Sequence, residues 1–324
     1  MATRILSGVQ PSGQLHLGNY FGAIKQHIEL QDLPGAEPYY FIADFHAMTT
    51  VQDAAKLREF VTGVALDYLA LGLDSKKAVF FRQSDVPEVA ELAWMLSCVT
   101  GMGLLERAHS YKDKTAKGLK PSVGLFYYPV LMAADILIYK SKLVPVGQDQ
   151  VQHVEMTQDM AQYFNNIYGC EVLVRPEAKL NETAKVPGVD GEKMSKSYGN
   201  TIDLQMEGAE LKKRVMSVKT DSTPVDQPKN PETCNVFALY KLVASPEETK
   251  ELEAQYRAGG LGYGDAKKKL LAKIDEFFEP YRETRKDLAK NLDHVEQVLR
   301  DGAARARAVA RQTLDECKKA SGLS

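Results

Sequence analysis

"RILSGVQPSGQLHLGNY", Arg4–Tyr20, holds a short apolar run, a turn punctuated by glycines and the opening of a helix. Arg4–Val9 has the continuous apolar character of a strand buried on both faces of a parallel sheet. Beyond the turn, Leu17, Phe21, Ile24 and Ile28 recur at helical spacing and mark the face that packs on that sheet. At a strand-to-helix turn the first free N–H groups and the helix dipole favour an anion, usually phosphate. His16 and Asn19 stand three apart, so both project from one side of the first turn. Gly18 between them would let a flat base approach the backbone. Gly8, Gly13 and Gly18 do not fit Gly-x-Gly-x-x-Gly, so there is no dinucleotide fingerprint. Read alone, the stretch fits an ordinary glycine-rich turn with a surface histidine equally well.

The same alternation continues. "YYFIAD" (Tyr39–Asp44), "AVFFRQS" (Ala78–Ser84) and "KLVPVG" (Lys142–Gly147) read as further strands. Between the first two of these, Leu57, Val61, Val64, Tyr68 and Leu71 trace a helix that Gly72 can stop. Gln150–Tyr168 reads as another, stopped by Gly169. Strand and helix in alternation imply right-handed βαβ units: an α/β fold with a Rossmann-like parallel sheet and helices on both faces. After about residue 200 strand signals fade. "AELKKRVMS", "DAKKKLLAKIDEFFEPY" and the Asn291–Lys319 run are helical and rich in lysine. The expected division is a Rossmann-like domain over residues 1–198 and a smaller α-helical domain over 199–324, the last helix being able to pack back on the first. "GGLGYG" (Gly259–Gly264) follows a helix and reads as its ending turn, not a nucleotide loop.

Composition bounds the class. A chain of 324 residues suits about two domains, and 44% apolar against 26% charged residues is enough to bury a core. With 41 basic and 43 acidic residues the formal charge is −2, which excludes a uniformly basic nucleic-acid coat but not a local basic face. Cys98, Cys170, Cys234 and Cys317 lie far apart with no Cys-x-x-Cys, so free thiols in a reducing compartment are expected and a resident metal is not. The opening "MATRILSGVQPSG" has too short an apolar run for a signal peptide, and no apolar span of ~20 residues occurs, so a soluble cytoplasmic protein with no membrane partner is expected.

"GEKMSKSYGN" (Gly191–Asn200) carries Lys193 and Lys196 with Ser195 and Ser197, bracketed by "PGVDG" and "YGN". Such composition gives mobility, and the loop is expected at the seam between the two domains. Lysines there could close over a triphosphate; a solvated linker would have the same composition. In "YYPVLMAADILIYKSKLVPVGQDQVQHVEM" (Tyr127–Met156), Asp135 sits inside an apolar helical run. A carboxylate is costly to bury without a donor, so it faces a pocket, a partner or a salt bridge.

"HLGN" and "KMSKS", in this order and separation, resemble the paired signatures of class I aminoacyl-tRNA synthetases, and the resemblance covers nearly the whole chain. Asn19 replaces the second histidine of the His-Ile-Gly-His element, a form familiar in the tryptophanyl branch. The Tyr128–Leu137 stretch is similar to that branch's pattern as well, whereas tyrosyl enzymes tend to carry Gln where Met132 stands. The resemblance implies ATP-dependent activation of L-tryptophan to tryptophanyl-adenylate, followed by transfer to tRNA(Trp). It implies ATP as substrate with Mg²⁺ carried on its phosphates, and a cytoplasmic homodimer.

By the same resemblance His16, Asn19, Lys193 and Lys196 are catalytic. ATP is met by Gln10, Pro11, Ser12, His16, Gly18, Asn19, Gly147, Gln148, Asp149, Val186, Lys193, Met194, Ser195, Lys196 and Ser197. Tryptophan is met by Asp135, which accepts the indole N–H, and by Met132, Tyr128, Gln150, His46, Val144 and Val146. Lys112 and Lys114 fall on a loop the family uses near the triphosphate. Phe45 and Leu6 depart from the usual Gln and Phe, so the pocket floor is expected to pack differently. His46 reads as a surface histidine nearly as well. Candidate tRNA contacts are Lys212, Lys213, Arg214 and Lys267–Lys269. The competing readings are a tyrosyl enzyme, a superfamily nucleotidylyltransferase without tRNA, and a non-catalytic RNA-binding relative.

Overall fold

The computed structural model describes residues 3–108, 122–180 and 186–323. The chain forms two compact units: Met1–Ser12, His27–Asn181 and Asn291–Ser324 make the first, Gly13–Gln26 and Glu182–Lys290 the second.

The first unit is built on five strands, β1 (Thr3–Val9), β2 (Ala36–Ile42), β3 (Val79–Arg82), β4 (Leu143–Val146) and β5 (Glu177–Leu180), ordered β3-β2-β1-β4-β5. Every pairing is parallel, and β1 and β2 run in register from Thr3↔Ala36 to Val9↔Ile42. The order reverses between β1 and β4, the switch point beyond whose carboxyl ends open α/β sheets bind ligands. Four strands match the sequence reading. The fifth does not appear in it, because Glu177–Leu180 is a short edge strand with no buried residue and no apolar run to betray it.

In chain order the helices of the N-terminal part are α1 (residues 17–30), α2 (Asp44–Ala47), α3 (Ala54–Ala70), α4 (Glu88–Val99), α5 (Met102–Glu106), α6 (Val123–Ile138) and α7 (Val151–Tyr168). Asp53 starts α3 by accepting the Ala55 and Lys56 N–H groups at 2.9 and 3.1 Å. Gly169 ends α7 in the left-handed region at φ 60°, where a side chain would be strained. In α1 the expected face holds through Leu17, Phe21 and Ile24, then rotates: His27 and Leu30 are buried and Ile28 is only half so. A π-helical turn over Tyr20–Ile24 intervenes, and its i→i+5 bonding rotates less per residue than an α-helix.

The second unit adds α8 (Gly208–Met216), α9 (Asn235–Val243), α10 (Pro246–Ala258) and α11 (Tyr263–Ala289) around Leu211, Phe237, Tyr256, Leu270 and Phe278. Tyr20 packs edge-on against Phe278, ring centroids 5.4 Å apart. The "GGLGYG" turn ends α10, with Gly259 at φ 77° and a Cβ there 2.7 Å from the Asp226 carbonyl oxygen.

The final helix, α12 (Leu292–Ser321), returns to the first unit. Its stripe Gly302, Ala303, Ala306 and Ala310 is small enough to lie directly on β3. Arg307 and Arg311 both reach the buried Glu88 carboxylate at 2.9 to 3.1 Å. Arg82 forks onto Glu296.

The division therefore does not fall at a single point near residue 198. The chain changes unit four times, and the Gly191–Asn200 loop belongs to the second unit. Two physical causes drive this: the small face of α12, and backbone bonds that tie Leu15–Leu17 to Ile202–Leu204.

Candidate active site

In the second unit the two signature stretches are bonded to each other. Leu17 N–H donates to the Ile202 carbonyl at 3.0 Å and Leu204 N–H to the Leu15 carbonyl at 2.9 Å, an antiparallel strap centred on His16 and Asp203. Asn19 explains its own presence: its Oδ1 accepts the His16 N–H at 3.1 Å, capping the helix start. Gly18 N–H points at Met194 Sδ, 3.4 Å away, and a Cβ on Gly18 would meet the His16 ring at 2.9 Å. Lys196 Nζ donates to the Gly13 carbonyl at 2.9 Å. His16 is buried, with its Nδ1 lacking a protein partner. Burial, aided by the Lys196 charge, pulls its ring down to about 4. At neutral pH it is therefore an uncharged imidazole.

The lysine loop is held more firmly than its composition implies. Met194 N–H bonds to the Val186 carbonyl at 2.9 Å, closing a hairpin over residues 186–194. Asn200, 2% exposed, is its keystone: Oδ1 accepts the Ser195 N–H at 2.8 Å, while Nδ2 donates to Asp190 at 2.8 Å and to the Lys193 carbonyl at 3.1 Å. Gly188 leaves room for it, since a Cβ there would lie 2.9 Å from Asn200 Cβ and closer to its amide. Arg214 donates to the Gly199 and Thr201 carbonyls. Ser195 and Ser197 hydroxyls bond to each other at 2.9 Å, and Lys193 is exposed.

In the first unit the strand ends carry a second cluster. His46 on α2 bonds through Nε2 to Asp135 Oδ2 at 2.9 Å, so it is no stray surface histidine. Asp135 on α6 is 2% exposed. Burial pushes its carboxyl up, and the His46 and Gln83 hydrogen bonds oppose that rise. Tyr128 OH lies 2.6 Å from His153 Nε2, and its ring sits edge-on to His46 at 6.2 Å. Gln10 donates to the His46 carbonyl at 3.2 Å. Val144 and Val146 are buried on β4, Met132 is half-buried on α6, and Gln148 and Gln150 fall in the turn after Gly147. Pro11 is buried and Ser12 exposed in the first unit. The Asp149 side chain, Lys112 and Lys114 lie outside the described residues.

Sequence reasoning missed Gln83, His153 and Asn200. A signal existed for the first, a polar residue closing an apolar strand in "VFFRQ", because carboxyl strand ends in such sheets face the ligand crevice. Four tRNA candidates are otherwise engaged, Lys269 among them through the Gln255 side-chain oxygen at 2.6 Å. Arg214 holds loop carbonyls, Lys268 pairs with Asp265 at 2.9 Å, and Lys267 donates to the Met216 carbonyl at 3.0 Å. Lys212 and Lys213 are exposed. The four cysteines are free, and among the described residues no helix is long and apolar enough to cross a membrane.

A β3-β2-β1-β4-β5 parallel sheet, in a chain whose His-Leu-Gly-Asn turn is bonded to its Lys-Met-Ser-Lys-Ser loop, defines a class I aminoacyl-tRNA synthetase. The family model for class I tRNA synthetases (W and Y) matches residues 1–279, and the chain belongs to that family. It is 53% identical over 321 residues to the tryptophan–tRNA ligase of Rhodopirellula baltica, covering 99% of both chains. The Fusobacterium nucleatum ligase is 51% identical over 321 residues, covering 99% of this chain and 98% of that one. The crystal structure of Campylobacter jejuni tryptophanyl-tRNA synthetase complexed with ADP and tryptophan superposes with TM-score 0.93 at 49% identity, covering 99% of this chain and 100% of that one.

Proposed function

We propose that the protein is a tryptophan–tRNA ligase that consumes ATP. The tryptophan carboxylate attacks the α-phosphorus of ATP, pyrophosphate leaves, and a ribose hydroxyl of the terminal adenosine of tRNA(Trp) takes the acyl group from the adenylate. A carboxylate is already nucleophilic at neutral pH, so the first step needs no general base. Its barrier is lowered by positioning and by charge neutralisation on the phosphates. Lys193 and Lys196 supply the positive charge, and Mg²⁺ enters as part of the ATP substrate. The adenosine moiety is assigned to Gly18, Met194 and the Val186 backbone, and the phosphates to His16, Asn19 and the turn from Gln10 to Ser12. Gly147–Asp149 complete the nucleotide contacts.

The observation that carries the substrate choice is Asp135, a buried acceptor in an apolar helix that two donors hold in place. An acceptor in such a site favours a ring bearing an N–H and rejects phenylalanine, which would leave it unpaired. Met132 and the Val144–Val146 wall suit the flat apolar face of indole. Tyr128 and Gln150 are assigned to the α-amino and carboxylate groups. We assign tRNA binding to the helical second unit and expect a cytoplasmic homodimer; a monomer by sedimentation would count against the dimer.

The test is ATP–pyrophosphate exchange with each amino acid supplied separately. Tryptophan alone should support exchange; turnover with tyrosine instead, or with none, overturns the reading. Lys196→Ala should slow exchange by about 10²-fold or more, with the KM for tryptophan within about three-fold of wild type.

A further inference from the structure

Gln83 has no part in the site as assigned from the family pattern, yet it is 1% exposed and lies against the carboxylate on which that site depends. It stands at the end of β3, first in the turn Gln83–Asp85. The turn is locked by Asp44, whose carboxylate accepts the Ser84 N–H at 3.0 Å and the Ser84 hydroxyl. Phe45 N–H is shared between Asp44 Oδ1 at 3.0 Å and Gln83 Oε1 at 3.1 Å. With its oxygen committed to an N–H donor, the amide has one sensible orientation, and its NH₂ must face Asp135. Nε2 lies 2.8 Å from both Oδ1 and Oδ2.

We propose that Gln83 is a positioning residue that fixes the Asp135 carboxylate as an acceptor and so sets the preference for an N–H-bearing ring over an isosteric ring without one. This rests on the reading of the protein as a tryptophan-activating enzyme. A carboxylate offers about four acceptor sites. His46 and the Gln83 amide converge on Oδ2, whereas Oδ1 receives the Gln83 amide alone, so capacity for an incoming donor remains on Oδ1. A carboxyl that took up a proton would present an O–H in place of that acceptor. Burial, with the neighbouring Asp44, pushes the Asp135 carboxyl up, and the His46 and Gln83 hydrogen bonds oppose that rise. Tyr139, directly after the same helix, also feels Asp135, and burial pushes its phenol up and keeps it neutral. The Asp44 grip on Ser84 thus serves a second purpose: it holds in register the amide that opposes protonation of the Asp135 carboxyl.

The experiment compares wild type with Gln83→Leu and with the isosteric Gln83→Glu in ATP–pyrophosphate exchange. Substrates are tryptophan and 3-(3-benzothienyl)alanine, which replaces the indole N–H by sulfur. The expected result in both variants is a fall of about 10²-fold in kcat/KM for tryptophan and of less than about three-fold for the analogue. The acid limb of the tryptophan profile should move to higher pH, since the carboxyl now protonates more readily. An equal fall with both substrates and an unmoved acid limb in Gln83→Glu would overturn the proposal, as would wild-type selectivity in either variant. A wild type that activates tyrosine instead would overturn the functional reading itself, a result the tryptophan arm separates from failure of the Gln83 role alone.

Discussion

At the scale of single residues the site is governed by buried polar groups with few alternatives. Asn19 accepts its own helix's first N–H, and Asn200 meets three partners around the lysine loop. Such groups are costly to leave unmade when buried, so each restricts the backbone beside it. Asn200→Ala should therefore slow pyrophosphate exchange by about 10-fold to 10²-fold with little change in the KM for tryptophan, because it loosens the loop bearing Lys193 and Lys196. Steady-state kinetics on the two substrates would check it; an equal rise in the tryptophan KM would assign Asn200 to another role. The His-Leu-Gly-Asn turn and the lysine loop were legible as short motifs, and Asp135 as a carboxylate inside an apolar helical run. His46 was ambiguous and Gln83 showed only as a polar residue closing an apolar strand, because their partners lie 89 and 52 residues away in the chain.

At the scale of elements, periodicity gave four of the five strands and most of the helices, since each buries an apolar face of matching period. It failed at β5, a polar edge strand whose face is not apolar. α12 was expected as a helix able to pack back, and it does so through a stripe of glycine and alanine that resembles an exposed surface. Close approach replaces bulk there. A Cβ at Gly302 would lie 2.6 Å from the Phe80 carbonyl carbon and closer still to its oxygen. Gly302→Ala should cost about 2 kcal/mol or more, because helix and strand must part along their whole contact. Urea unfolding would read this as a lower midpoint at unchanged slope; a midpoint equal to wild type would mean that the helix can shift freely.

At the scale of the whole molecule, each unit buries a histidine as the neutral ring. His27, stacked on Tyr40 at 4.6 Å and bonded to Tyr68 OH at 3.0 Å, is pulled down to about 3 by burial alone, and His16 to about 4. The unfolded chain protonates both rings below about pH 6.5, while the folded chain resists. Their stabilisation is therefore complete above that pH. It is lost as pH falls toward 4 for His16 and toward 3 for His27, each ring contributing up to about 1.4 kcal/mol per pH unit. Melting temperatures across pH 7 to 4 should drop steeply in wild type and less steeply in His27→Phe, which keeps the stacked ring and removes the titration. Parallel curves for the two proteins would show that His27 does not share in the acid limb.

The sequence by itself determined the parallel sheet, the strand-to-helix turn with its lysine-bearing counterpart, and the identity of the buried acceptor. Each of these is written in residues close together, where local period and short motifs act. Tertiary structure alone decided that the chain passes four times between its units, that α12 closes on β3, and that Gln83 and His46 converge on Asp135. Those outcomes depend on packing and hydrogen bonding between segments far apart in the chain. Whether a small side chain is a tight contact or a solvent face, and whether a polar one is a partner or an ornament, is fixed only when the opposing surface is in place.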